Sequence, residues 1–217
     1  TLGRWRWHLN DVIRLQSASL SQSTSVLAAS ASEPLLDASH QWRSGHQETL
    51  NQRVERYWLA YSSDQWVAKL GRQALTWGNG HLFQPMDLFD PFSPESLDRR
   101  YKPGSDMLYA QYLFDSGADI QGIYIPRKSP VTHHIDTAVS SGALKYLGFM
   151  GDVQYELLVA QDYNDKVLGI LVMGPVSDAL WKADLVPVWL DESAFRWSFV
   201  TSIEQSGELI NHTVTGY

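Results

Sequence analysis

At 217 residues the chain has the length of one domain, or of two small ones, and can bury a real core. A formal charge of -7 with no basic block argues against a nucleic-acid binder, which needs a cationic face for phosphates. With no cysteine anywhere, disulfides, zinc-thiolate centres and thiol nucleophiles are excluded.

In chain order the dominant period is two. Residue 1 opens no basic n-region with an apolar run, so no signal peptide is read here. Trp5, Trp7 and Leu9 oppose Arg4, Arg6 and His8, and Asn10-Asp11 then turns into a second stretch over 12–20. Residues 21–47 form the first long connection. The run 53–61, RVERYWLAY, reads in either parity. After Ser62-Ser63-Asp64, Trp66, Ala68 and Leu70 alternate with Val67, Lys69 and Gly71. A second long connection, rich in Pro, Asp and Phe, covers 76–105. Leu108, Ala110, Tyr112 and Phe114 precede the turn Asp115-Ser116-Gly117, with Ile120, Gly122 and Tyr124 after it. A third connection, 127–139, leads to Leu144, Tyr146 and Gly148, the turn Gly151-Asp152, and Val153, Tyr155, Leu157 and Val159. The run 167–173 is apolar on both parities, and 167–176 is about half the roughly 20 residues a spanning helix needs. Trp181, Ala183, Leu185, Pro187 and Trp189 share one face, with Lys182 and Asp184 on the other. Beyond Asp191-Glu192-Ser193, the parity of Phe195, Trp197, Phe199, Thr201 and Ile203 opposes Arg196, Ser198, Val200, Ser202 and Glu204. No stretch carries a 3.6-residue period, so helix content should be low.

The pattern predicts an all-β protein of about twelve strands in antiparallel hairpins. A soluble sandwich turns its apolar parity inward; a membrane barrel turns it out to lipid. Here that parity is crowded with Trp5, Trp7, Trp66, Tyr112, Tyr124, Tyr146, Tyr155, Trp181, Trp189, Phe195 and Trp197, whereas a soluble core favours Leu, Ile and Val. Many of these rings fall near strand ends, where an interfacial girdle belongs, and short turns alternate with long loops as in outer-membrane barrels. The expectation is therefore an up-and-down antiparallel transmembrane β-barrel.

A resemblance points the same way. The segment Lys69 to Gly78, KLGRQALTWG, followed by Asp87-Leu88-Phe89-Asp90-Pro91, Arg99-Arg100 and Pro103-Gly104, resembles a proteobacterial outer-membrane family of unknown function, itself similar to porin-like and alginate-export-type barrels. The stretch 174–185, GPVSDALWKADL, resembles a hairpin of that family. The resemblance implies a bacterial outer-membrane location, contact with membrane lipid and lipopolysaccharide, and transport of small solutes. Such barrels run well beyond 217 residues, and Asn211, Thr213 and Thr215 stand where lipid-facing apolar residues would precede an aromatic end. The expectation is one barrel domain over 1–217 that continues past its C-terminal end as part of a larger barrel.

Two groups of residues follow from this reading. The loop 76–105 is expected to fold inward and narrow a pore, with Arg72, Trp77, His81, Asp87, Asp90, Asp98, Arg99, Arg100 and Lys102 at the constriction; a solvated loop packing Phe83, Phe89 and Phe92 on itself is the other reading. The polar parity places Arg4, Arg6, Arg14, Lys69, Lys145, Lys182 and Arg196 toward the lumen against Asp119, Glu156, Asp184 and Glu204. These either form a cation-rich wall favouring anions or are ladders of paired charge, Lys182 with Asp184 and Arg196 with Glu204.

No catalytic residue, metal site or cofactor is assigned. His133 and His134 are adjacent and would point to opposite faces of a strand, Ser202 with His212 has no supporting spacing, and no phosphate loop opens a helix. Three functions remain: a passive porin-like channel for small, anionic or amphipathic solutes; an outer-membrane component of lipid or hydrophobic-compound transport with periplasmic or inner-membrane partners; and a soluble carbohydrate-binding domain stacking aromatics on sugars.

Overall fold

The computed structural model describes residues 3–17, 35–36, 39–44, 48–77, 85–89, 104–191, 194–209 and 212–216. These residues are all-β: among them no helix occurs, and so none is long and apolar enough to cross a membrane.

Ten strands form one antiparallel meander: β1 (Arg4–Ser17), β3 (Glu48–Ser62), β4 (Trp66–Gln73), β5 (Ser105–Leu113), β6 (Asp119–Ile125), β7 (Ser141–Met150), β8 (Val153–Asp162), β9 (Asp165–Val176), β10 (Ala179–Trp189) and β11 (Phe195–Leu209). Two short strands flank it. β2 (Ser39–Ser44) pairs with residues 48–53 of β3, on the edge that β4 takes over at 57–62, and β12 (His212–Gly216) pairs with the end of β11. Alternating side chains drive strand formation, and three hairpins close on a residue with positive φ, which glycine accepts freely and the other two adopt under strain. Gly151 (φ 60) turns β7 into β8, Tyr163 (φ 55) β8 into β9, and Ser177 (φ 56) β9 into β10, as two-residue turns matching strand twist require.

Three features bear on the sequence expectations at this level. The sheet is not a closed barrel: β1 pairs only with β3, and the β11–β12 ribbon has no partner beyond β10, so the first and last strands never meet among the described residues. Closure needs a matched stagger between them, and here both edges stay open. The stretch 12–20 is not a second strand, because the ladder runs through Asn10 and Asp11 with a bulge and β1 continues to Ser17. The connection at 163–164 is short although it lies on the long-loop side.

The ambiguous segments take a side once paired. Ala60 is buried while Leu59 is exposed, which settles the parity of β3; in β9, Val167, Gly169 and Leu171 are buried while Leu168 and Ile170 are exposed. The covered face contains Met107, Tyr109, Ile123, Leu158, Leu171, Val186 and Val188, joined in one cluster by Trp77, Met86 and Phe89 from the segment after β4. Each fully buried aliphatic side chain there contributes roughly 1.5–3 kcal/mol.

The opposite face is bare. Trp7, Leu70, Leu108, Leu144, Val159, Ile170, Leu185, Trp197 and Ile203 are each at least 41% exposed, whereas Lys145, Glu156 and Asp184 on the covered face are at most 6% exposed. That polarity is inverted relative to a water-soluble sheet, which hides its Leu and Trp and shows its Lys and Glu.

Candidate functional site

The covered face begins at Gly71, where GRQALTWG leaves the sheet. Its φ is 123°, and a Cβ there would stand 2.2 Å from the Tyr57 carbonyl oxygen, so only glycine lets β4 lie this close to β3. Past Gln73 the chain crosses onto the covered face and seats Trp77, 3% exposed, edge-on to Phe89 at 5.7 Å between ring centroids.

Trp77 is held by polar groups as well. Its Nε1 donates to Gln121 Oε1 at 2.8 Å, and Gln121 Nε2 donates to Asp119 Oδ1 at 2.8 Å. Lys145 Nζ lies 5.6 Å from the Trp77 ring centroid, within cation–π range, and donates to Glu156 Oε2 at 3.0 Å. Gln154 Nε2 bonds the other Glu156 oxygen at 3.1 Å, and Asp184 shares the cross-strand row of Glu156 through Leu171. The result is a connected polar patch of both signs under an indole lid.

Other predicted residues spread along the same face. Lys69 Nζ sits 5.6 Å from both the Trp58 and the Tyr109 rings. Lys182 meets Glu204 at 2.6 Å, so the charge ladder exists, with Glu204 rather than Asp184 as the ion-pair partner. Arg196 is exposed, one residue beyond the start of β11, and Glu204 lies eight residues along the same strand, so the expected Arg196–Glu204 pair across neighbouring strands does not form. Arg4 and Arg6 are exposed, and Arg14 stands opposite Asn51 in the β1–β3 ladder. Gln73, whose neighbours in sequence drew the attention, is buried with its Nε2 unpartnered among the described residues.

Arg72 departs from the group. It belongs to β4 rather than the loop and stands opposite Asp106 and Tyr57, in line with exposed Leu70, Leu108 and Leu59, which puts it on the bare face. There its Nε and Nη2 donate to the two Asp106 oxygens at 2.9 and 3.0 Å, and its remaining donors reach the carbonyls of Val54 and Leu36. Tyr57 Oη and the Leu36 backbone N–H donate to the same carboxylate at 2.8 and 3.1 Å. Arg72 is 3% exposed, and Leu36, whose backbone N–H and carbonyl bond the pair, lies over it.

Asp87 lies half-buried beside Met86. His81, Asp90, Asp98, Arg99, Arg100 and Lys102, with most of the expected constriction, lie outside the described residues, as do Phe83 and Phe92. His133 and His134 sit exposed in the β6–β7 connection, which an Arg127-to-Ser140 network ties down. Asp106, Tyr57, Gln121 and Met86 were not singled out by sequence reasoning. Only Gln121 left a trace, as a polar residue at a covered-face position of β6.

On the bare face the register arranges side chain types in bands. Toward the short turns stand Trp5 with Tyr61, Trp66 with Tyr112, Tyr146 with Tyr155, and Trp181. Toward the long loops stand Tyr124, Trp189 and Phe195, in the row Leu108, Tyr124, Gly142, Gln161, Lys166, Trp189, Phe195. Between them lie mainly aliphatic residues, Leu144, Leu157, Val159, Leu168, Ile170 and Leu185, with Tyr146 opposite Leu157 and Phe199 opposite Leu185.

Against protein-family models, curated proteins and solved structures, the chain matches nothing. The bands and the covered patch therefore carry the functional reading alone.

Proposed function

We propose that this chain forms part of the wall of a bacterial outer-membrane β-barrel, similar to the porin-like family named above, and that the barrel is a passive channel for small, anionic or amphipathic solutes. The observation that carries it is the inverted sheet: an aliphatic belt between two aromatic bands on the bare face, with Lys145, Glu156, Asp184 and Lys182 on the covered one. Hydrocarbon accepts such a belt, aromatic rings with a polar edge suit its borders, and water in a lumen suits the charges.

In this reading the edges of β1 and of the β11–β12 ribbon pair with further strands in the membrane, since each unpaired backbone group in hydrocarbon costs several kcal/mol. The segment carrying Trp77, Met86 and Phe89 then lies within the lumen and narrows it, with Lys145 and Glu156 beneath it. Solute passes the remaining gap by diffusion, sorted by size and by the local field of Lys69, Lys145 and Lys182 against Asp119, Glu156, Asp184 and Glu204. No reaction is part of the account.

Planar-bilayer recording tests it. The detergent-extracted protein should give stepwise single-channel currents, and Trp77→Ala should raise the unitary conductance by removing the ring that props the inner segment. A chain that is monodisperse in aqueous buffer without detergent would contradict the membrane reading, and silent bilayers would contradict the channel.

A further inference from the structure

The bare face is not uniformly ridged. Between the row of Leu108, Tyr124, Gln161, Lys166 and Trp189 and the row of Leu144, Val159 and Leu168 runs a groove of about 910 Å³. It exists because Ala110, Gly122 and Gly142 supply almost no side chain, which leaves the backbone of β6 and β7 as its floor. It crosses from β5 to β10, five strand spacings or roughly 24 Å. The volume falls within the range of about 300–1,000 Å³ typical of ligand sites.

Its lining is apolar apart from Gln161 and Lys166, which stand side by side on β8 and β9 at the Trp189 end. Lys166 is exposed, and among the described residues no carboxylate pairs with it. An ammonium at the end of an apolar trough, beside an indole, is complementary to an amphiphile with one anionic head and a long hydrocarbon tail.

We propose that this groove is a binding site for an anionic, phosphate-bearing lipid, with an acyl chain lying across β5–β9 and the phosphate meeting Lys166 and Gln161. The site deepens the membrane reading and rests on it, since the same face must be in contact with lipid for the groove to fill. Lys166 sets the preference for negative head groups and the groove sets the requirement for a chain. The polar pair lies on the long-loop side of the sheet, so the lipid approaches from the leaflet those loops face.

The test uses the whole chain in mild detergent, titrated with phosphatidylglycerol or phosphatidylcholine carrying brominated acyl chains. The readout is the fluorescence of Trp189, taken as the difference between wild type and Trp189→Phe. Half-saturation for phosphatidylglycerol should lie well below that for phosphatidylcholine, and Lys166→Gln should weaken phosphatidylglycerol about tenfold while leaving phosphatidylcholine unmoved. Gly142→Leu should abolish the Trp189 signal for both lipids. A Cβ at Gly142 meets nothing closer than 3.7 Å, so the larger side chain enters the trough without displacing backbone. Equal half-points for the two lipids in wild type, or a Trp189 signal that survives Gly142→Leu, overturns the site. So does a Gly142→Leu variant that changes from dimer to monomer with no lipid effect, which would assign the groove to a second copy of this chain. Flotation with liposomes, read separately, reports on the membrane reading: a variant set that floats but shows no Trp189 preference sinks the lipid site alone.

Discussion

Two ion pairs are buried in the same sheet on opposite faces, and they are built differently. Lys145 and Glu156 face the covered side, where Lys145 and Gln154 donate to the two carboxylate oxygens and Trp77 lies over the ammonium. Arg72 and Asp106 face the bare side, where the carboxylate collects four donors and the guanidinium also reaches two backbone carbonyls under the Leu36 segment. Both pairs are almost closed to solvent, so their charges depend on partners within the protein. A charge on an apolar face that meets hydrocarbon must find every partner within the protein, because an unmet donor or acceptor there costs the full desolvation penalty. The two faces thus hold their buried charges with different partners, side chains under Trp77 on one and backbone groups of Leu36 and Val54 on the other.

The largest effect that would sharpen this contrast is expected at Asp106. Asp106→Ala leaves Arg72 buried without its counter-ion and strips the Leu36 segment of its anchor, so stability should fall by about 3–5 kcal/mol. Urea unfolding in lipid vesicles measures it, and a loss below about 1 kcal/mol would mean that water already reaches the pair. Next comes a charge placed in the aliphatic belt: Leu144→Arg should cost about 2–4 kcal/mol in vesicles if the bare face is buried in hydrocarbon. A change within about 0.5 kcal/mol, the size of an ordinary surface substitution, would break the comparison. The smallest is Lys182→Met on the covered face, which removes a 2.6 Å pair whose side chains are 12% and 17% exposed. There the loss should be about 1 kcal/mol and should shrink at high salt.

Much of the sheet was legible in the sequence, and the reason is local. Period-two alternation from Trp66 to Leu70 or from Phe195 to Ile203 needs no tertiary knowledge, and the turn at Gly151 announces itself by a residue that accepts positive φ. The face carrying the aromatics was legible too, since one parity held them. Three features were not. Asn10-Asp11 reads as a turn but lies inside β1 opposite a bulge at residue 55 of β3, because the ladder with β3 continues on both sides and overrides the local preference. Arg72 reads as a lumen charge, yet its environment is set by Asp106, 34 residues away, and Tyr57, whose register against β4 no local pattern reveals. Whether the sheet closes could not be read from hairpins, because pairing of first and last strands is a property of the whole sheet, and among the described residues both edges are open. Trp77 seats on the covered face next to the glycines of GRQALTWGNG, but its partner Gln121, 44 residues distant on β6, left no local signal of that contact.

The central claim is that the apolar side of the sheet lies in hydrocarbon, and the chain's own composition makes it testable residue by residue. With no cysteine in the sequence, single substitutions along β8 from Val153 to Asp162 each carry one nitroxide label. In proteoliposomes, paramagnetic relaxation by oxygen should exceed that by an aqueous nickel chelate at 155, 157 and 159, and should drop at 154, 156 and 158, with a period of two. Labels at 157 and 159 as open to the nickel chelate as one at Asp152 in the adjoining turn would contradict the account.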